Sequence, residues 1–186
     1  MKVIAGRWRG REIRAPRDTQ ARPSTARLRE ALFSALQPWI EGSFVLDLFT
    51  GSGALGIEAL SRGAERVEFV DVDARALRAV GDNLERLGAT PDSFRIRRGD
   101  GWRRLATLAE ELPAGAVVVL DPPYADDLLA RCLPEGIRAV ESGRVDAFAV
   151  EHPAGAPEPD SPPAGIDLRR RRHGHGAFTL LTRSDA

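Results

Sequence analysis

The spacing of apolar residues changes character along the chain. Residues 2–15 alternate charge with apolar groups; Val3 and Ile4 face Glu12 to Arg14 across Gly6 and Gly10, which predicts a short β-hairpin. Residues 16–23 carry Pro16 and Pro23 among polar groups and read as a loop. Ser24 or Thr25 is placed to cap a helix running to about Gln37. Its face is Leu28, Ala31, Leu32, Ala35 and Leu36, and Pro38 is expected to stop it. From residue 43, short apolar runs alternate with helical stretches. Strands are expected over Phe44–Phe49, Arg66–Asp71, Ser93–Arg98, Ala116–Leu120 and Asp146–Glu151. Helices are expected over Ala54–Arg62, Ala74–Leu87, about Trp102–Glu111 and about Asp126–Val140, the last broken near Pro134 and Gly136. A Pro- and Gly-rich loop, 153–165, precedes strands over about Ile166–His173 and Ala177–Thr182.

Strand and helix in alternation indicate an α/β fold: a mostly parallel sheet covered on both faces. The link His173–Gly176 is too short for a parallel crossover, so the last two strands must be antiparallel. The expectation is one Rossmann-like domain over 1–186 with a seven-stranded sheet. Its core is 43–183, and the hairpin and helix of 1–40 form an N-terminal extension.

Composition narrows the class. The chain has 186 residues, 42% hydrophobic and 29% charged, with formal net charge zero. No apolar run approaches the roughly 20 residues needed to span a bilayer. The first residues lack the apolar centre of a secretory signal. One cysteine, Cys132, excludes an internal disulfide and a multi-cysteine zinc knuckle. The cytosol is the expected location. The zero net charge hides an asymmetry: residues 1–30 hold nine basic groups against three acids, and Arg169 to Arg172 form a second basic block. Positive charge gathered at both ends suits a polyanion such as nucleic acid, although a solvated face reads the same way.

Four motifs carry the candidate chemistry. Asp47-Leu48-Phe49-Thr50-Gly51-Ser52-Gly53-Ala54-Leu55-Gly56 runs from a buried strand into a Gly-rich turn that opens a helix. The Gly spacing alone fits a dinucleotide fingerprint. Asp47 beneath the turn would repel a pyrophosphate and attract a cation, which favours S-adenosylmethionine over NAD. Asp71 ends the next apolar strand, placed to accept from ribose hydroxyls, while Asp73 suits a helix cap. Asp100 is equally a contact for an adenine amine or a helix cap. Asp121-Pro122-Pro123-Tyr124 follows the fourth strand, expected beside the first. Two prolines remove two donors, leaving carbonyls, a carboxylate and an aromatic face. That set suits a planar exocyclic amine, whose lone pair localises when its protons are accepted.

The DPPY loop in such a fold is similar to the amino-group methyltransferases of DNA, RNA and protein glutamine. The blocks Ile4-Ala5-Gly6-Arg7-Trp8-Arg9-Gly10-Arg11, Arg22-Pro23-Ser24-Thr25-Ala26-Arg27-Leu28-Arg29-Glu30-Ala31-Leu32-Phe33 and Leu46 to Ala64 resemble the RsmD family of bacterial 16S ribosomal RNA guanine-N2 methyltransferases. The resemblance covers nearly the whole chain, and its departures are Ala26, where the family often has Asp, and the Pro-rich 153–165 loop. It implies S-adenosylmethionine as cofactor, held by Asp47, Phe49, Gly51, Gly53, Asp71 and Asp100. It implies Asp121, Pro122, Pro123 and Tyr124 as the catalytic loop, and no metal. Arg7, Trp8, Arg9, Arg11, Arg22, Arg27 and Arg29 are the expected RNA contacts. The implied partner is 16S ribosomal RNA in a small subunit or assembly intermediate, met by a monomer. Two alternatives stay open: an amino-group methyltransferase of DNA or protein glutamine, and a non-catalytic RNA-binding module.

Other residues read as structural. His173 and His175 suit a solvated turn, His152 a strand end, and Cys132 a buried apolar group. Trp8 is either a base-stacking ring or a packing ring.

Overall fold

A computed structural model describes residues 1–15, 26–123 and 127–184. The elements are α1 (Ala26–Ile40), β1 (Phe44–Leu48), α2 (Ala54–Ser61), β2 (Arg66–Asp71), α3 (Ala74–Leu87), β3 (Phe94–Arg98), α4 (Gly101–Leu105), α5 (Leu108–Glu111), β4 (Ala116–Leu120), α6 (Leu128–Glu141), β5 (Val145–Pro153), β6 (Ile166–His173) and β7 (Gly176–Arg183). The seven strands form one sheet in the order β3-β2-β1-β4-β5-β7-β6. β1 to β5 are parallel, and β7 runs antiparallel to both β5 and β6. This is the expected α/β architecture, with the strand order reversing between β1 and β4.

The pleat sends alternate residues to two apolar layers. Val45, Val119, Ala149 and Phe178 pack in the layer that contains buried residues of α1, α2 and α3. Leu46, Leu120, Phe148 and Leu181 pack in the layer containing those of α4, α5 and α6. Among the described residues, no helix is long and apolar enough to cross a membrane.

Three local expectations are corrected. Pro38 does not stop α1, which runs on to Ile40. A proline this close to a C-terminus removes one hydrogen bond, and the complete burial of Ile40 holds the last turn. Pro134 likewise sits inside an unbroken α6, held by the buried face Leu129, Cys132, Leu133, Ala139 and Val140. The single helix expected over 102–111 is two, α4 and α5. At the junction Thr107 donates its hydroxyl to the Arg104 carbonyl, a side-chain bond that competes with the helical ladder.

The N-terminal hairpin is rudimentary, and it is no appendage. Its one bridge pairs Lys2 with Glu12. Val3, Trp8 and Ile13 are buried in the same layer as α1 and α2. Residues 4–8 turn along α2, where the Glu58 carboxylate accepts from the Ile4 and Ala5 N–H groups at 2.8 and 3.0 Å. Ser61 Oγ donates to the Ala5 carbonyl and accepts from the Trp8 N–H.

Candidate active site

The carboxyl ends of β1, β2 and β4 share one rim. β1 is flanked by β2 and β4, with Leu48 opposite Val70 and Leu120, so the turn after β1 stands between Asp71 and Asp121. Phe49 leaves β1 with φ 58°, a left-handed conformation that is uncommon outside glycine. Its ring lies 4.9 Å from Trp102, and a Cβ at Gly101 would sit 2.7 Å from it. The turn after β1 therefore packs directly on the turn that begins α4, and only glycine fits at the contact. Gly53 has φ 78°, and a Cβ there would meet Val80 at 3.0 Å, so this turn closes tightly onto α3.

Asp47 lies beneath the turn, as its place in the strand end suggests, and is enclosed there. It is 1% exposed, and its Oδ2 accepts from the Thr50 hydroxyl at 2.7 Å and the Gly56 N–H at 2.9 Å. Burial pushes its pKa up to about 7, against those two hydrogen bonds and helped by the charges of Asp121 and Asp71. Asp47 shapes the turn from below instead of touching a ligand. Asp71 is half-buried; its Oδ2 accepts from the Gly51 N–H and its Oδ1 from the Asp73 N–H, both at 2.9 Å. Each oxygen keeps a lone pair for a further donor. Asp73 caps α3 through the Arg75 N–H, as read from the sequence. Asp100 caps α4 through the Trp102 N–H, and its side chain stays 47% exposed, so the cap leaves oxygen available on the same rim.

Asp121 is half-buried, Pro122 buried and Pro123 exposed at the end of β4. Tyr124 lies outside the described residues, as does Arg22. The helix after this loop, α6, lays Arg131 over the Trp102 ring at 3.6 Å. A chain of contacts, Phe49–Trp102–Arg131, thus joins the turns after β1 and β3 to α6. A cavity of about 480 Å³ lies apart from these acids, between α6 and the 153–161 segment.

The expected RNA contacts divide. Arg7, Arg9, Arg11 and Arg27 are exposed. Arg7 stacks on Trp8 at 4.2 Å, and Arg11 donates to the Arg86 carbonyl at the end of α3. Two are corrected. Trp8 is 7% exposed and packs the arm onto the core, so its ring is not offered to a base. Arg29 is 1% exposed; it donates to the Lys2 carbonyl at 2.6 Å and stands 4.0 Å from Glu58. Its burial pulls its pKa down, opposed by Glu58 and Glu151. A guanidinium enclosed this way holds the arm and has no surface for a phosphate.

Residues 1–182 match the family model described as Conserved hypothetical protein 95. The chain belongs to this family, the RsmD family. Relatives of this RsmD chain include YlbH of Bacillus subtilis, 41% identical over 133 residues and covering 72% of each chain. The Ribosomal RNA small subunit methyltransferase D of Haemophilus influenzae is 35% identical over 133 residues, covering 72% of this chain and 68% of its own. The solved structure of yhhF from Escherichia coli aligns with TM-score 0.77 at 33% identity, over 98% of this chain and 97% of that one. The sheet matches the Rossmann-like fold of S-adenosylmethionine-dependent methyltransferases.

Sequence reasoning missed Asn83, Glu58 and Ser61. Asn83 is fully buried; its Oδ1 accepts from the Arg14 N–H, and its Nδ2 donates to the Arg14 and Ser52 carbonyls. It ties the arm to the Gly-rich turn. The available signal was position: Asn83 stands in the apolar stripe of α3 with Val80, Leu84 and Leu87, where a polar residue needs an internal partner.

Proposed function

We propose that this protein transfers a methyl group from S-adenosylmethionine to the exocyclic N2 amine of a guanine in 16S ribosomal RNA. The carrying observation is the placement of Asp121-Pro122-Pro123 at the end of β4, beside the turn after β1. The names of the relatives support ribosomal RNA of the small subunit as the substrate class. The acids of the rim fit the cofactor: Asp71 is held rigidly with lone pairs to spare for ribose hydroxyls, and Asp100 keeps an exposed carboxylate for adenine. What the bound cofactor supplies is an electrophilic methyl group.

The chain's own residues orient the nucleophile. The amine nitrogen of guanine is delocalised into the ring and weak. The Asp121 carboxylate and the Pro122 carbonyl accept its protons, which turns the lone pair out of conjugation and stabilises the positive charge that develops on nitrogen. Proline at 122 and 123 leaves no backbone N–H to compete for those acceptors. Tyr124 supplies the stacking face for a base drawn from its stack. Alignment provides the rest of the rate. Transfer of labelled methyl to undermethylated small subunits, naked 16S RNA, DNA and protein, followed by digestion to nucleosides, tests the reading. N2-methylguanosine from ribosomal RNA is the expected product. Label confined to DNA or glutamine overturns it.

A further inference from the structure

The sequence places four arginines in a row, and β6 separates them into two pairs with different duties. Arg170 and Arg172 face the 153–165 loop. Arg170, its side chain 8% exposed, donates to the carbonyls of Ala156 at 2.8 Å, Pro157 at 3.0 Å and Ala154 at 3.3 Å, and pairs with Glu158 at 3.1 Å. Arg172 also pairs with Glu158. These two charges are committed to holding the loop. Arg169 and Arg171 face the other way. Arg169 is 61% exposed, and its ion pair with the half-buried Asp167 is long, at 3.7 Å. Arg171 is exposed and has no partner among the described residues.

Register places this second pair relative to the catalytic loop. Arg170 pairs with Thr179, Thr179 with Val150, and Val150 with Leu120. Arg171 is therefore one residue further along, level with the point where β4 gives way to Asp121. Three strand spacings separate them, about 14–15 Å. The cross-strand partners of Arg171 and Arg169 are Phe178 and Leu180, both in the layer of α1. The pair thus lies on the same side of the sheet as the exposed Arg27. The first turn of α1 seats on the β6–β7 turn there, with Leu28 against Gly176.

Taking the proposed RNA substrate as given, we propose that the α1 side of β6, with Arg169 and Arg171, is a second phosphate-docking surface. It would hold the RNA strand a few nucleotides from the target base. Because the whole chain is formally neutral, this attraction is local. Charges on an edge strand also deter edge-to-edge pairing, but that role asks nothing of RNA and has no salt signature in RNA binding.

Binding of the full chain to a 16S RNA transcript, measured across a potassium chloride series, separates the two. R169Q/R171Q is expected to weaken binding several-fold and to reduce the log–log salt slope by about 1.4, at ~0.7 per single-strand phosphate contact. Its melting temperature and calorimetric affinity for S-adenosylhomocysteine should match wild type. R170Q/R172Q should keep the wild-type slope while the 153–165 loop becomes open to limited proteolysis. R171E alone, at a fully surface position, should lower the slope further than R171Q. An unchanged slope in R169Q/R171Q, or equal slope losses in both double variants, overturns the proposal. Wild-type methyl transfer is measured in parallel. RNA binding that depends on Arg169 and Arg171 without any methylation would defeat the proposed reaction and leave the surface standing. Methylation with an unchanged slope would do the reverse.

Discussion

The underside of the Gly-rich turn and the β6 edge are both rich in charge, yet they are built on opposite terms. Under the turn and along α2, Glu58, Arg29, Asp47 and Asn83 are enclosed, and their partners are backbone groups, each other, or the neighbouring side chains of Thr50 and Arg62. At the edge, only Arg170 is enclosed, and its pairs stretch over a surface loop. Enclosed polar groups are expensive to leave unpaired, whereas exposed ion pairs contribute little. A residue's charge therefore says less about its role than the number of its hydrogen-bonding atoms that face protein.

The largest expected effect breaks the underside outright. Deleting residues 1–15 removes Val3, Trp8 and Ile13 from the core and strips Glu58 of two N–H partners. The truncated chain should fail to show a cooperative melting transition, in contrast to an arm that served only as a cover. Next, Glu58→Ala should destabilise by about 3–5 kcal/mol in urea melts, because Arg29 and Arg62 lose a buried counter-charge and the Ile4 and Ala5 N–H groups lose their acceptor. A loss under about 1 kcal/mol would show that water enters and solvates Arg29.

Asn83→Ala leaves the Arg14 N–H and two carbonyls without their partner, and should destabilise by about 1–3 kcal/mol. Because one of those carbonyls belongs to Ser52, S-adenosylhomocysteine affinity should fall as well. Unchanged affinity would separate the arm from the turn. Asp47 offers a pH signature. Its folded pKa, about 7, lies above its ordinary value of 3.8. Between those values the folded protein holds a proton that the unfolded chain releases, so this group makes stability fall as pH rises from about 4 to 7. Asp47→Asn keeps an acceptor for Thr50 and Gly56 and abolishes the titration. The melting temperature of the variant relative to wild type should therefore climb across that window and level off above it. A constant difference would place Asp47 in solvent. The smallest effect belongs to the edge: Arg170→Ala should cost about 1 kcal/mol and expose the 153–165 loop to protease, with cofactor affinity intact.

Much of the molecule was legible beforehand, and the limits are specific. Strands β2 and β4, helix α3 with its Asp73 cap, and the antiparallel final pair follow from local period and turn chemistry. The same local rules misjudged Pro38 and Pro134, because burial of Ile40 and of the α6 face outweighs one lost hydrogen bond. At the rim, Asp71 and Asp121 stand at the strand ends where the motifs put them. The motif puts Asp47 beneath the turn, but nothing in DLFTGSG shows that Thr50 and Gly56 turn back onto it and enclose it.

What the sequence determined by itself is whatever depends on neighbours within a few residues: element type, caps, turns, the pleat that divides Arg169 to Arg172, and the order of motifs along a doubly wound sheet. Only the tertiary structure decided which charges are enclosed. Ile4 and Glu58 are 54 residues apart and Arg14 and Asn83 are 69 apart. No period or turn rule links such pairs. Their meeting is fixed when the arm packs along α2 and α3, and an arginine at 29 or 27 becomes an internal anchor or a free cation according to which side of α1 it falls on.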